Sequence, residues 1–197
     1  EIMTYQNSPI LAYFHSSSGG RTENGADLWA AKPYLKSVTD LDQASPKYTW
    51  RQQVSQQEMQ QAIKKSFNLS LGSILAIEAQ TYTSTGRIKT LNIIGTHSQK
   101  NLDAMKFRSA LNLNSTYFNA GAVSAQGSLI ESPNPQEIPI AFQFAGRGWG
   151  HGLGMSQWGA RQMALNGYTY KHILGHYYQG IHLSQLNPLH YRVANAD

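Results

Sequence analysis

Cysteine is absent from the sequence, which excludes disulfides and thiol chemistry and is compatible with life outside the cytoplasm. Charge is sparse: only 14% of residues are Asp, Glu, Lys or Arg, and no Lys/Arg block occurs. The dense cationic stripe of a nucleic-acid binder is therefore missing, and no nucleic-acid partner is expected. No stretch reaches the roughly 18 consecutive apolar residues of a membrane-spanning helix; the longest apolar runs, such as Ser73–Ala79, are strand-sized. Internal repeats and low-complexity segments are also lacking.

What is present is a 197-residue chain with 41% hydrophobic residues, enough for one substantial core, so a single domain over residues 1–197 is expected. It opens at Glu1 inside an apparent strand, as a processed product or a piece of a longer protein would. A formal charge of +5 favours an anionic partner. Eleven Tyr and four Trp among many amides and hydroxyls suit a glycan, because flat rings stack on sugar faces and amides match sugar hydroxyls.

The element pattern predicts an α+β fold of antiparallel hairpins, short helices and a helical C-terminal segment. Residues 1–5 and 10–14 read as a first hairpin across the turn of Asn7, Ser8 and Pro9. Ser55 and Glu58 have capping-box spacing ahead of a helix bearing Met59, Ala62 and Ile63 on one face. Two strands around Ser84-Thr85-Gly86 form a second hairpin, and a helix follows over Asp103–Leu111. A proline-interrupted loop at 131–139 leads to a strand, then to helices starting near Ser156 and Thr169, the first closed by Asn166-Gly167.

Between that strand and Ser156, glycine recurs at 146, 148, 150, 152 and 154. An extended backbone would send Arg147, Trp149, His151, Leu153 and Met155 to one side and leave bare main chain on the other. Either a polysaccharide or a neighbouring strand could occupy that bare side. His151 stands where a dinucleotide fingerprint needs glycine, and the Gly-Met-Ser-Gln-Trp-Gly run from Gly154 is one residue off a serine-hydrolase elbow. Ser156 opens a helix, so it either caps that helix or helps its amides receive an anion. His172 and His176 stand four apart without the Glu of a zinc-protease motif; neither a metal nor another cofactor is expected.

The stretch Gly146–Leu183 (GRGWGHGLGMSQWGARQMALNGYTYKHILGHYYQGIHL) resembles the signature of the stage II sporulation protein D and amidase-enhancer (SpoIID/LytB) family. Residues 9–29 (PILAYFHSSSGGRTENGADLW) and 33–40 (PYLKSVTD) resemble its other well-marked block, and residues 45–59 and 107–118 its weaker middle blocks. The resemblance implies action on peptidoglycan in the cell envelope, outside the cytoplasm. Two functions are compatible with it: lytic cleavage of peptide-stripped glycan, or non-catalytic enhancement of a cell-wall amidase. The family's catalytic Glu lies in an N-terminal block, upstream of Glu1, that these residues do not contain: either that half was cleaved and is held as a separate piece, a further expected partner, or it was lost, or the chain is a non-catalytic member.

Glu23 is the one in-chain acid inside a motif loop, and its alternative is a structural partner for Arg21 or a backbone amide. The expected glycan-binding residues are Tyr13, His15, Ser17, Ser18 and Thr22 from the first block, and Trp149, His151, Ser156 and Gln157 from the second. Trp29 is a further stacking candidate, with core packing the alternative for both tryptophans.

Overall fold

The computed structural model describes residues 1–132 and 134–185; Pro133 of the proline-interrupted loop and residues 186–197 of the expected domain lie outside them. In chain order the strands and helices are β1 (Ile2–Tyr5), β2 (Ser8–Pro9), β3 (Phe14–His15), β4 (Thr49–Ser55), α1 (Gln56–Phe67), β5 (Ile74–Tyr82), β6 (Ile88–Gly95) and β7 (Gln99–Asp103). They continue with α2 (Ala104–Ala110), β8 (Phe118–Val123), β9 (Leu129–Ile130), β10 (Ala141–Arg147), β11 (Met155–Ser156), α3 (Gln157–Leu165), α4 (Tyr170–Tyr177) and β12 (His182–Ser184). The fold is α+β. Antiparallel sheets run β12-β1-β2, β4-β10-β8-β9 and β5-β6-β7, and β3 pairs with β11 in parallel.

Local chemistry accounts for the helix boundaries. Ser55 Oγ accepts from the Glu58 amide while the Glu58 carboxylate accepts from the Ser55 amide, the reciprocal bonding that the spacing predicts. Asp103, Ser156 and Thr169 each cap the helix that follows. The first hairpin is shorter than expected. Gln6 and Asn7 take positive φ and turn the chain so that Thr4 and Tyr5 pair with Pro9 and Ser8. The chain then leaves the sheet, and Phe14–His15 pairs with the C-terminal motif instead.

Two apolar clusters are buried. The larger one forms where the sheets of β4-β10-β8 and β5-β6 meet α1 and α2, with Trp50, Phe144, Ile74, Leu91, Met59 and Phe107 in its interior. The smaller one lies beneath the motif stretches and joins Tyr34, Leu35 and Leu153 to Met163, Ile173, Tyr177 and Tyr178 of the C-terminal helices. No helix among the described residues is long and apolar enough to cross a membrane.

Candidate functional site: two motif stretches joined through the main chain

The two motif stretches are far apart in sequence and lie side by side in space. Ser17 and Trp149 exchange both backbone hydrogen bonds, at 3.1 and 2.7 Å. The amides of Glu23, Met155 and Trp158 donate to Gly152, Tyr13 and Ser16 of the other stretch. Gly148, Gly150 and Gly154 are therefore covered by the protein's own first motif, while Gly152 faces Arg87 and Gly146 faces Trp50.

The glycine stretch is not the extended strand that its alternation suggests. Gly148, Gly150, Gly152 and Gly154 all have positive φ. The residues between them consequently diverge: Trp149 stays 46% exposed while Leu153 is fully buried. At Gly150 a Cβ would stand 2.6 Å from His15 Cβ, and at Gly154 it would stand 2.0 Å from the Tyr13 carbonyl oxygen. Glycine is demanded twice at each position, by the backbone angle and by the neighbour.

The hydroxyls expected to face sugar are turned inward. Ser17 donates to Asp42 at 2.5 Å and Ser18 to Asp40 at 2.6 Å. Asp42 also accepts the amides of Gly19 and Gly20, at 2.8 and 2.9 Å. Asp40 further accepts from the Tyr177 hydroxyl at 2.6 Å, which ties the loop to α4. Thr22 is buried and accepts from the Val38 amide. Ser156 is buried and accepts from the Gly159 amide, so of its two readings the cap is the one formed. These four residues fix the loop geometry from inside.

Glu23 is completely buried, and its partner is Arg87 rather than Arg21. The Arg87 guanidinium, itself 1% exposed, lies 3.9 Å from the carboxylate and donates to the backbone carbonyls of Ser18 and Arg21. Thr85 also donates to Glu23. Burial pushes the Glu23 pKa up, against the hydrogen bonding and the Arg87 charge that pull it down. Arg21 bonds Ser37 instead. The sequence gives little sign of Arg87, Asp40 or Asp42 as keystones. Asp40 ends the first block and Asp42 follows two residues later, but Arg87 sits in a hairpin with no motif around it.

Around His151 the side chains form an aromatic cluster that reaches solvent. Trp29, Tyr13 and His15 stand 5.5, 6.3 and 5.6 Å from it, centroid to centroid. Trp29 is 52% exposed, His151 and Tyr13 are half-buried, and Gln157 is exposed. Lys47 lies over the Trp149 ring. His172 and His176 do not converge: the first bonds Thr169 and the second the Thr39 carbonyl.

His15 is buried, with Nδ1 3.1 Å from the Leu153 carbonyl and Nε2 without a partner among the described residues. Burial, with the neighbouring His151 and Arg87, pulls its pKa down to about 3. His151 is lowered as well, chiefly by burial. A folded-state pKa below the unfolded value means that stability is intact above the unfolded value, about 6.5, and is lost as pH falls toward the folded value. Melting temperature should therefore drop between pH 6.5 and 4.5, with His15 contributing about 1.4 kcal/mol per pH unit in that range. His15→Asn should flatten the profile whatever its absolute stability. An unchanged slope would show that His15 is not held neutral.

The family described as "Domain of unknown function (DUF8618)" matches residues 30–154. Stage II sporulation protein D of Bacillus subtilis (strain 168) is 36% identical over 188 residues, 94% of this chain and 48% of that protein. The Bacillus amyloliquefaciens protein of the same name is 35% identical over 193 residues, 94% of this chain and 48% of that protein. The amidase enhancer of Bacillus subtilis (strain 168) is 25% identical over 224 residues, 93% of this chain and 31% of that protein. The chain thus spans about half the length of the first two.

Proposed function

Because this chain belongs to the SpoIID/LytB family and to the DUF8618 domain family, we propose that it acts on bacterial peptidoglycan, outside the cytoplasm, as the glycan-holding part of a lytic transglycosylase. The observation that carries this reading is the ring cluster of half-buried Tyr13 and His151 with exposed Trp29, and exposed Trp149 on the same motif as His151, assembled from both stretches. Half-exposed rings on rigid, cross-bonded loops are suited to stacking on successive sugars.

The reaction proposed is cleavage of a MurNAc–GlcNAc link in peptide-stripped glycan. A carboxylic acid protonates the glycosidic oxygen as the C1–O bond breaks. The muramic 6-hydroxyl then bonds to C1 and returns its proton to the carboxylate, leaving a 1,6-anhydro end without a water nucleophile. Within the first motif block and the segment after it, Glu23, Asp27, Asp40 and Asp42 are all bonded inside the protein. On the family resemblance, the donor in this proposal is a carboxyl group from outside these 197 residues.

The engaged state of those carboxylates also favours a second reading. In it the chain binds glycan without breaking it and stimulates or recruits a cell-wall amidase. Stripped glycan strands incubated with the complete protein and analysed by mass spectrometry separate the two readings. Accumulating 1,6-anhydro-muramyl ends are expected for the first; binding without new ends supports the second. Trp149→Ala should weaken strand binding about tenfold without moving the melting temperature, since its ring is half in water. Equal binding by wild type and Trp149→Ala would remove Trp149 from the site.

A further inference from the structure

A groove of about 690 Å3 lies over one end of the β4-β10-β8 sheet, outside the aromatic cluster. Strand register explains its shape. Arg51, Ala145 and Asn119 are direct cross-strand neighbours, and so are Thr49 and Arg147 two rungs further on. Paired positions share a sheet face, so small Ala145 forms a floor between the longer Arg51 and Asn119. Trp50, Gly146 and Phe118 make the intervening rung, where Trp50 and Phe118 turn into the core. Tyr82, 59% exposed at the end of β5, forms the far wall.

Among the described residues the lining carries two cations and no acid. Among the described residues the one ion pair is that of Arg87 with Glu23, so Arg51 and Arg147 have no carboxylate partner there. The Arg147 guanidinium carbon lies over the Tyr117 ring, 4.1 Å from its centroid, and the group donates to the Tyr117 hydroxyl, which holds it without neutralising its charge. The groove is continuous with the motif, because Gly146 and Arg147 open the glycine stretch.

We propose that this groove is a subsite for a sugar bearing a carboxylate substituent, with Arg51 and Arg147 binding the carboxylate and Tyr82 stacking on the ring. The inference rests on the peptidoglycan reading above and specifies it: the carboxylate is the lactyl group that peptide-stripped muramic acid carries and a neutral chitin-like strand lacks. Asn119 and Thr49 supply the amide and hydroxyl that sugar hydroxyls need. A nucleic acid is disfavoured, since two guanidinium groups do not make a stripe that tracks a phosphate backbone.

The test is isothermal titration with peptide-stripped glycan strands and with the same strands after chemical reduction of their carboxyl groups to alcohols. Wild-type protein should bind the untreated strands about tenfold more tightly, the difference falling as salt rises. Arg51→Gln and Arg147→Gln should each lose about tenfold for untreated strands and nothing for reduced ones. Arg51 makes no side-chain hydrogen bond among those found in the described residues, so Arg51→Gln should melt with wild type. If wild type prefers untreated strands and both variants keep that preference, the subsite is wrong and the peptidoglycan reading stands. If wild type binds neither strand but binds polyglutamate, the groove is a general polyanion site and both readings fall.

Discussion

Gly154→Ala is expected to lower the melting temperature by about 10 °C. An L-residue in the left-handed region costs about 1–2 kcal/mol, and the φ at Gly154 is +72°. The added methyl would also stand 2.0 Å from the Tyr13 carbonyl oxygen. That oxygen cannot simply retreat: it accepts from the Met155 amide at 3.0 Å and from the Tyr178 hydroxyl at 2.6 Å. Overpacking against fixed backbone adds about 1–3 kcal/mol, and at this chain length each kcal/mol moves the midpoint by about 2–4 °C. Gly167→Ala is the control. Its φ is +86° with nothing within 4 Å of the new methyl, so only the backbone cost applies, about 3 °C. Equal losses at the two positions would mean that the strands do not press together as described.

The second large effect is expected at Arg87. Arg87→Met should destabilise by about 3–5 kcal/mol, because it leaves the buried Glu23 carboxylate and the carbonyls of Ser18 and Arg21 without their cationic donor. Glu23→Gln in the same chain should recover part of the loss, since the charge that had to be compensated is gone. The pH dependence has a definite sign. Glu23 already has a raised folded pKa, and removing Arg87 raises it further. Stability conferred by the protonated form is complete below the unfolded value, about 4.5, and is lost as pH rises through the folded one. The gap between Arg87→Met and wild type should therefore widen from pH 4.5 to 7. Thermal melts of both single variants and the double variant across that range check the pair; strict additivity of the two changes would dissolve it.

Local signals were readable in the sequence where one residue type has one conformational use. Ser55 with Glu58, Asp103 and Thr169 announce helix starts because a side-chain oxygen there satisfies an otherwise free amide. The strands β4, β7 and β8 escape the same reading. In β4, Gln52 sits at the inward position between buried Trp50 and Val54, where it bonds the Leu111 carbonyl, and this breaks the apolar alternation. β8 builds its ladder from Ala and Gly with few large apolar residues, and β7 has Leu102 alone. The glycine stretch misleads for a different reason. A period of two in composition resembles a strand's period of two in direction, but here Gly148, Gly150, Gly152 and Gly154 take positive φ.

For the site, sequence reasoning located both loops and their rings but could not foresee the inward turn of Ser17, Ser18 and Ser156. Their hydroxyls are consumed by Asp40, Asp42 and a helix amide, partners set by tertiary contact. Arg87 lies in neither motif and becomes a keystone only when the β5-β6 hairpin packs against the first loop.

The central claim is that the two stretches hold one ligand together, and the indole N–H resonances of Trp29 and Trp149 test it most directly. Each ring belongs to a different motif and each is about half exposed. On titration with peptide-stripped glycan strands, both signals should shift with the same midpoint concentration. Movement of one alone, or of neither while the strands bind elsewhere, would contradict it.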